Sequence, residues 1–265
     1  MNAHASIQPT NPIAALTEKL MEPPPGLAYD YSQPAGEPAL IAATSISWKI
    51  FKNPAALFIG GVAAVIMELA EPSVRTGVWD HSSFQRDPAM RLRRTGAAAM
   101  MTVYGPQSAA RSLISRVVKM HGHVIGETPD GTPYHANDER LLNWVQATAS
   151  FGFIEAYSQF VAPLTDAQKS QAFREGATAS HLYGALGAPQ SLEEWEQQCA
   201  SMLPSLEPSP IIEEYLAILR STALVSRLAQ PMQNLLIKAA IDIVPVSARE
   251  LACHRSASPH GNAKA

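Results

Sequence analysis

The sequence predicts an all-α protein. Ala, Leu, Met, Glu and Gln are abundant across the middle of its 265 residues, and alternating β-branched runs are missing. Start and stop signals also recur at helical spacing. Hydrophobic residues make up 46% and charged residues 16%, below the usual charged share of about 25%. That composition supports a sizeable core and excludes disorder for the bulk of the chain. The expected architecture is a single multi-helix domain over residues 45–255.

Residues 1–44 read as a proline-rich N-terminal extension, with Pro9, Pro12, Pro23, Pro24, Pro25, Pro34 and Pro38 breaking it. One short helix, Ile13 to Met21, is possible within it. Asn53-Pro54 then opens a helix, Asn as N-cap and Pro in the first turn, running to Ala70 before Pro72. Glu71, Asp80 and His81 are expected in or near turns. Asp87-Pro88 opens a second helix, which ends near Gly105-Pro106. A third runs from Gln107 to His121 and stops at Gly122. After the loop GETPDGTP, Asn137 caps a long helix to about Val161. Thr165 opens the next, ending near Gly184. Ser191 with Glu194 has capping-box spacing. Two more helices follow, about Pro210 to Ser221 and Pro231 to Ile243. The tail, residues 256–265, is small and polar and is expected to be disordered.

Several function classes drop out. A net charge of −3 gives no nucleic-acid or anionic-membrane footprint. Cys199 and Cys253, the two cysteines, exclude a disulfide scaffold or a Cys-rich metal site. The longest uncharged apolar stretch, Pro54 to Met67, is fourteen residues, short of the roughly 20 a membrane span needs; it reads as a core helix. The N-terminus shows no secretory pattern, and a cytoplasmic location is expected. HExxH, G-x-S-x-G and phosphate-cradling glycine loops are absent.

Two helices carry candidate site residues. On 107–121, Ala110, Leu113/Ile114, Val117 and His121 share one face, so His121 ends an apolar stripe and points inward. An inward imidazole suits a metal or haem iron; it equally suits a core histidine hydrogen-bonded to a carbonyl, which is the commoner case. On the helix from Asp87, Arg91, Thr95, Ala98 and Thr102 share a face, Arg94 neighbours Arg91, and small residues (Gly96 to Ala99) follow. A flat ligand with carboxylates would fit there, as would a tight helix contact with a solvated basic end.

Five segments in order carry a resemblance: LAEPSVRTGVWDHSSF (Leu69–Phe84), RDPAMRLRRT (Arg86–Thr95), MHGHVIG (Met120–Gly126), YHANDERLLNWVQAT (Tyr134–Thr148) and EAYSQFVAPLT (Glu155–Thr165). Their order and spacing resemble the MpaB/rubber-oxygenase family, which includes the latex clearing proteins. The resemblance implies haem b in a globin-like helical core, with iron held by His121 and Arg91, Arg94 and Thr95 beside the haem. It implies a haem-dependent oxygenase acting with dioxygen on a small apolar, isoprenoid or alkene, substrate, with Arg91, Thr95 and Glu71 as candidate catalytic residues. The sequence departs from the family at Arg94, where latex clearing proteins have lysine, at Glu71, where many relatives have histidine, and at Gln146, also often histidine. Three alternatives stay open: a peroxidase-like haem enzyme; a haem-binding or haem-sensing protein without turnover, which the departures at 71 and 146 favour; and a structural helical module that binds no cofactor. The oligomeric state is left open.

Overall fold

The computed structural model describes residues 29–222, 224 and 230–253, with side chains to 250. The expected helix at Ile13 to Met21 and the expected disordered tail lie outside the described residues. The elements are α1 (Ile46–Phe51), α2 (Pro54–Ala70), α3 (Pro72–His81), α4 (Pro88–Tyr104), α5 (Gln107–His121), β1 (Ile125–Glu127), β2 (Pro133–His135), α6 (Glu139–Phe160), α7 (Asp166–Tyr183), α8 (Leu192–Met202), a 3-10 turn (Leu203–Ser205), α9 (Pro210–Ser221), α10 (Gln230–Ile243) and α11 (Val246–Cys253). The all-α expectation holds.

Local chemistry sets most boundaries. The side chains of Asn53 and Asp87 accept from the backbone N–H groups of Ala56 and Met90, each before a proline in the first turn. Thr165 and Gln168 form a reciprocal capping box. At Ser191 only half the box exists: its hydroxyl accepts from Glu194 N, while the Glu194 carboxylate turns back to Gln190 N at 2.7 Å. The α6 cap is Asp138. Asn137 instead donates to the Val118 carbonyl at 3.1 Å, tying the end of α5 to the start of α6.

Two expectations need correction. Glu71 does lie at a corner, but Pro72–His81, with Asp80 and His81 in its last turn, is a helix: the Glu71 carboxylate caps α3 at Val74 N, with Pro72 in the first turn. The loop after α5 holds a small antiparallel hairpin, Ile125 opposite His135 and Glu127 opposite Pro133, where no strand is expected. Three-residue strands are too short to show a period of two.

The apolar helix α2 is the centre of the bundle, with α6 along it and α10 and α11 packed against it. Ile59, Val62, Ala63, Ile66, Met67, Leu69 and Ala70 on α2 are all buried, the large ones contributing roughly 1.5–3 kcal/mol each. The α2–α6 contact is close because glycines face each other. A Cβ on Gly152 would stand 2.3 Å from the Gly60 carbonyl oxygen, and one on Gly60 would stand 2.6 Å from the Gly152 backbone, so side chains are excluded at this crossing. Opposite, α4 packs on α5 and α1, and α5 on α7. The segment before α1 is fastened to this side. The Glu37 carboxylate accepts from Ser108 N (2.6 Å) and the Ser108 hydroxyl (2.8 Å), and Gln107 N donates to Pro38 O. Among the described residues no single helix is long and apolar enough to cross a membrane; only α2 with α3, bent 111° apart, reaches that length.

Candidate functional site

The central helix is not buried all round. Gly61, Val65 and Glu68 form one half-buried stripe on α2, at the three- and four-residue steps that share a helix face. On α4 the half-buried residues run from Pro88 through Arg93 and again from Ala97 to Met100. A Cβ on Gly96 would meet nothing within 4 Å, and one on Gly61 only the Phe153 ring at 3.8 Å. Gly60 is therefore a packing glycine and its neighbour Gly61 is not. The half-buried stripe and the room beside Gly61 mark a cleft along α2, and Arg91 of α4 is an electrostatic neighbour of Glu68 on it.

Four titratable groups converge in it. Glu68 brings a carboxylate from α2, Arg91 a guanidinium from α4, His121 an imidazole from the end of α5, and Tyr215 a phenol from α9. Desolvation pushes the Glu68 carboxyl up to about 7, against the opposing pull of the Arg91 charge and of Thr148. The Thr148 hydroxyl, on α6 and fully buried, lies 3.3 Å from Glu68 Oε1 and 3.0 Å from the Trp144 carbonyl. Burial lowers the pKa of Arg91 and the Glu68 charge opposes this, followed by Tyr215; the nearby Arg94 adds repulsion. Burial also raises the Tyr215 phenol, helped by the Glu68 charge. The Tyr215 side chain is 1% exposed, and its ring lies 5.0 Å from the Phe84 ring. Its hydroxyl is buried with no hydrogen-bond partner among the described residues.

His121 is half-buried. Its Nδ1 is buried and has no partner among the described residues. Burial, and then the Arg91 charge, lower its pKa, so the ring is neutral at pH 7 and carries a lone pair. A satisfied core histidine would have that nitrogen paired. Thr95 and Arg94 lie on the exposed side of α4. The Thr95 hydroxyl donates to the Arg91 carbonyl at 3.0 Å and receives the Arg91 guanidinium, so Thr95 fixes the Arg91 side chain.

Glu71 is placed elsewhere. It is 2% exposed; one oxygen accepts from Val74 N at 2.8 Å and the other from Arg140 Nη2 at 2.8 Å. Both oxygens serve the α2–α3 corner and its tie to α6. Thus Arg91, Arg94, Thr95 and His121 are brought together, and Glu71 is not among them. Sequence reasoning missed Glu68 and Tyr215. Glu68 had one signal, a lone charge ending the apolar run. Tyr215, inside EEYLAIL, had none.

Two open depressions elsewhere do not touch this cluster. One of about 430 Å³ is lined by residues including Gly187, Glu194 and Gln198, and one of about 320 Å³ by residues including Tyr134, His135 and Arg140. No group of three or more His, Cys, Asp or Glu that could hold a metal ion occurs among the described residues. A haem brings four nitrogen ligands of its own in the porphyrin and needs one protein donor. An orphaned, neutral imidazole nitrogen near the Arg91 guanidinium fits that need.

The fold and cluster define an all-helical domain with one partly enclosed polar site in an apolar bundle. The family described as "ER-bound oxygenase mpaB/B'/Rubber oxygenase, catalytic domain" matches residues 48–259, and the chain belongs to it. Comparison with curated proteins and with solved structures gave no match.

Proposed function

We propose that this oxygenase domain is haem-dependent and acts with dioxygen on an apolar substrate of isoprenoid or alkene type. The observation that carries the reading is the buried His121 Nδ1, neutral and without a partner among the described residues, beside the Arg91 guanidinium. His121 would hold the iron, and Arg91 and Arg94 carry the charge suited to the haem carboxylates. Bound haem would supply the binding and activation of dioxygen. The chain's own residues do the rest. Thr95 orients Arg91. Glu68 lies on the half-buried α2 stripe with Val65, and the partly buried Leu92 and Val145 pack on the core from α4 and α6, giving apolar surface for a hydrocarbon chain. Glu68, with its pKa raised to about 7, is placed to hold or release a proton near the physiological range.

The test is the visible absorption spectrum of protein expressed with ample haem, alongside His121→Ala. A strong Soret band that weakens or shifts in the variant is the expected result, followed by dioxygen consumption with alkenes. A colourless, folded wild type that takes up no added hemin overturns the reading.

A further inference from the structure

The Tyr215 phenol is the least explained polar group in the fold. Its hydroxyl is buried on α9, unpartnered among the described residues, and its ring is packed against Phe84. Leaving such a group unpaired is destabilising, and phenylalanine would fill the same space without that cost. Two further groups converge on the same place: the Glu68 carboxyl, with Thr148 at 3.3 Å, and the Arg91 guanidinium, whose electrostatic neighbours are Glu68 and Tyr215. The cluster therefore holds donors (Tyr215 O–H, Arg91 N–H) and an acceptor (Glu68) as mutual electrostatic neighbours. Apolar side chains (Val65, Leu92, Val145, Ile218) pack on the core from the same helices.

We propose that Tyr215, Glu68 and Arg91 bind the hydroxyl head of an otherwise apolar alkenol, whose chain extends over the apolar part of the cleft. An alcohol oxygen matches the set because it accepts from Tyr215 or Arg91 and donates to Glu68. A carboxylate head would give Tyr215 and Arg91 an acceptor but bring no donor for Glu68, and a plain hydrocarbon would leave the Tyr215 hydroxyl unpaired. The inference uses the cleft of the proposed function and names its substrate class more narrowly.

The experiment measures dissociation constants for geraniol, its methyl ether and the matching hydrocarbon diene. The full-length protein is used with and without added hemin, as wild type and as Tyr215→Phe. Geraniol is expected to bind wild type about 10- to 100-fold tighter than the diene, with the ether between. Tyr215→Phe, which loses only an unpaired oxygen, is expected to keep or raise its thermal midpoint and to shrink that preference to within about threefold. A wild type that binds the three probes equally, or binds none, overturns the proposal, as does a Tyr215→Phe variant that keeps the full preference. If the variant does not fold, the wild-type preference and its loss in Glu68→Gln decide. A protein that takes up hemin but shows no preference loses this inference and keeps the haem reading; a colourless one that still prefers the alcohol does the reverse.

Discussion

Replacing Glu68 with glutamine isolates the electrostatic cost of the site. In the unfolded chain this carboxyl titrates near 4.5, and in the fold near 7. The folded state therefore binds a proton that the unfolded state has already released over this interval. Stability linked to Glu68 is fully present below about 4.5 and is lost as pH rises through 7. At about 1.4 kcal/mol per pH unit, the full effect is roughly 3 kcal/mol. His121 acts in the opposite sense: its lowered pKa makes the folded state lose stability as pH falls through that value. The raw wild-type curve mixes both, so the quantity to measure is the difference between wild type and Glu68→Gln. Urea unfolding at half-unit steps from pH 4.5 to 8, followed by far-UV circular dichroism, gives it. The variant should gain on wild type progressively with pH, by roughly 2–3 kcal/mol at pH 8 relative to pH 4.5. Parallel curves would refute the reasoning and mean that Glu68 is solvated in the folded protein.

Gly152→Ala should destabilise by about 3 kcal/mol or more, because its Cβ has nowhere to go at the α2–α6 crossing. Gly96→Ala, facing open space, should gain about 0.5–1 kcal/mol from helix propensity; thermal unfolding of the pair checks both. Glu71→Ala should cost roughly 2–3 kcal/mol through the lost α3 cap and the lost Arg140 partner. Its hemin affinity, read from Soret titration, should match wild type.

Much of the fold was legible because the helix starts are written locally. Asn53-Pro54, Asp87-Pro88 and Thr165 with Gln168 each combine a cap with a first-turn residue, and each opens a helix as expected. Glu71-Pro72 carries a similar signal and went unread because glutamate is a weaker cap in isolation. Here Arg140, distant in sequence, holds the carboxylate in place. The inward direction of His121 followed from periodicity. The lack of a partner for its Nδ1 did not, since that depends on what α4 and α6 bring near it. Glu68 and Tyr215 meet only because α2 and α9 fold together, and no spacing rule links residues so far apart in sequence.

The glycine crossing also decides how the site accommodates a visitor. Where Gly60 and Gly152 meet, the backbones of α2 and α6 are already in contact, and that wall is incompressible on the scale of a side chain. A change in the width of the cleft falls to the walls without such a crossing, α9 and α4 with α5, the last of which Glu37 anchors at its N-terminus. Arg91 and His121 ride on α4 with α5, Glu68 on the rigid wall. The aperture and the separation of the charged groups are therefore one coordinate: a molecule that spreads the helices also parts the guanidinium from the carboxylate.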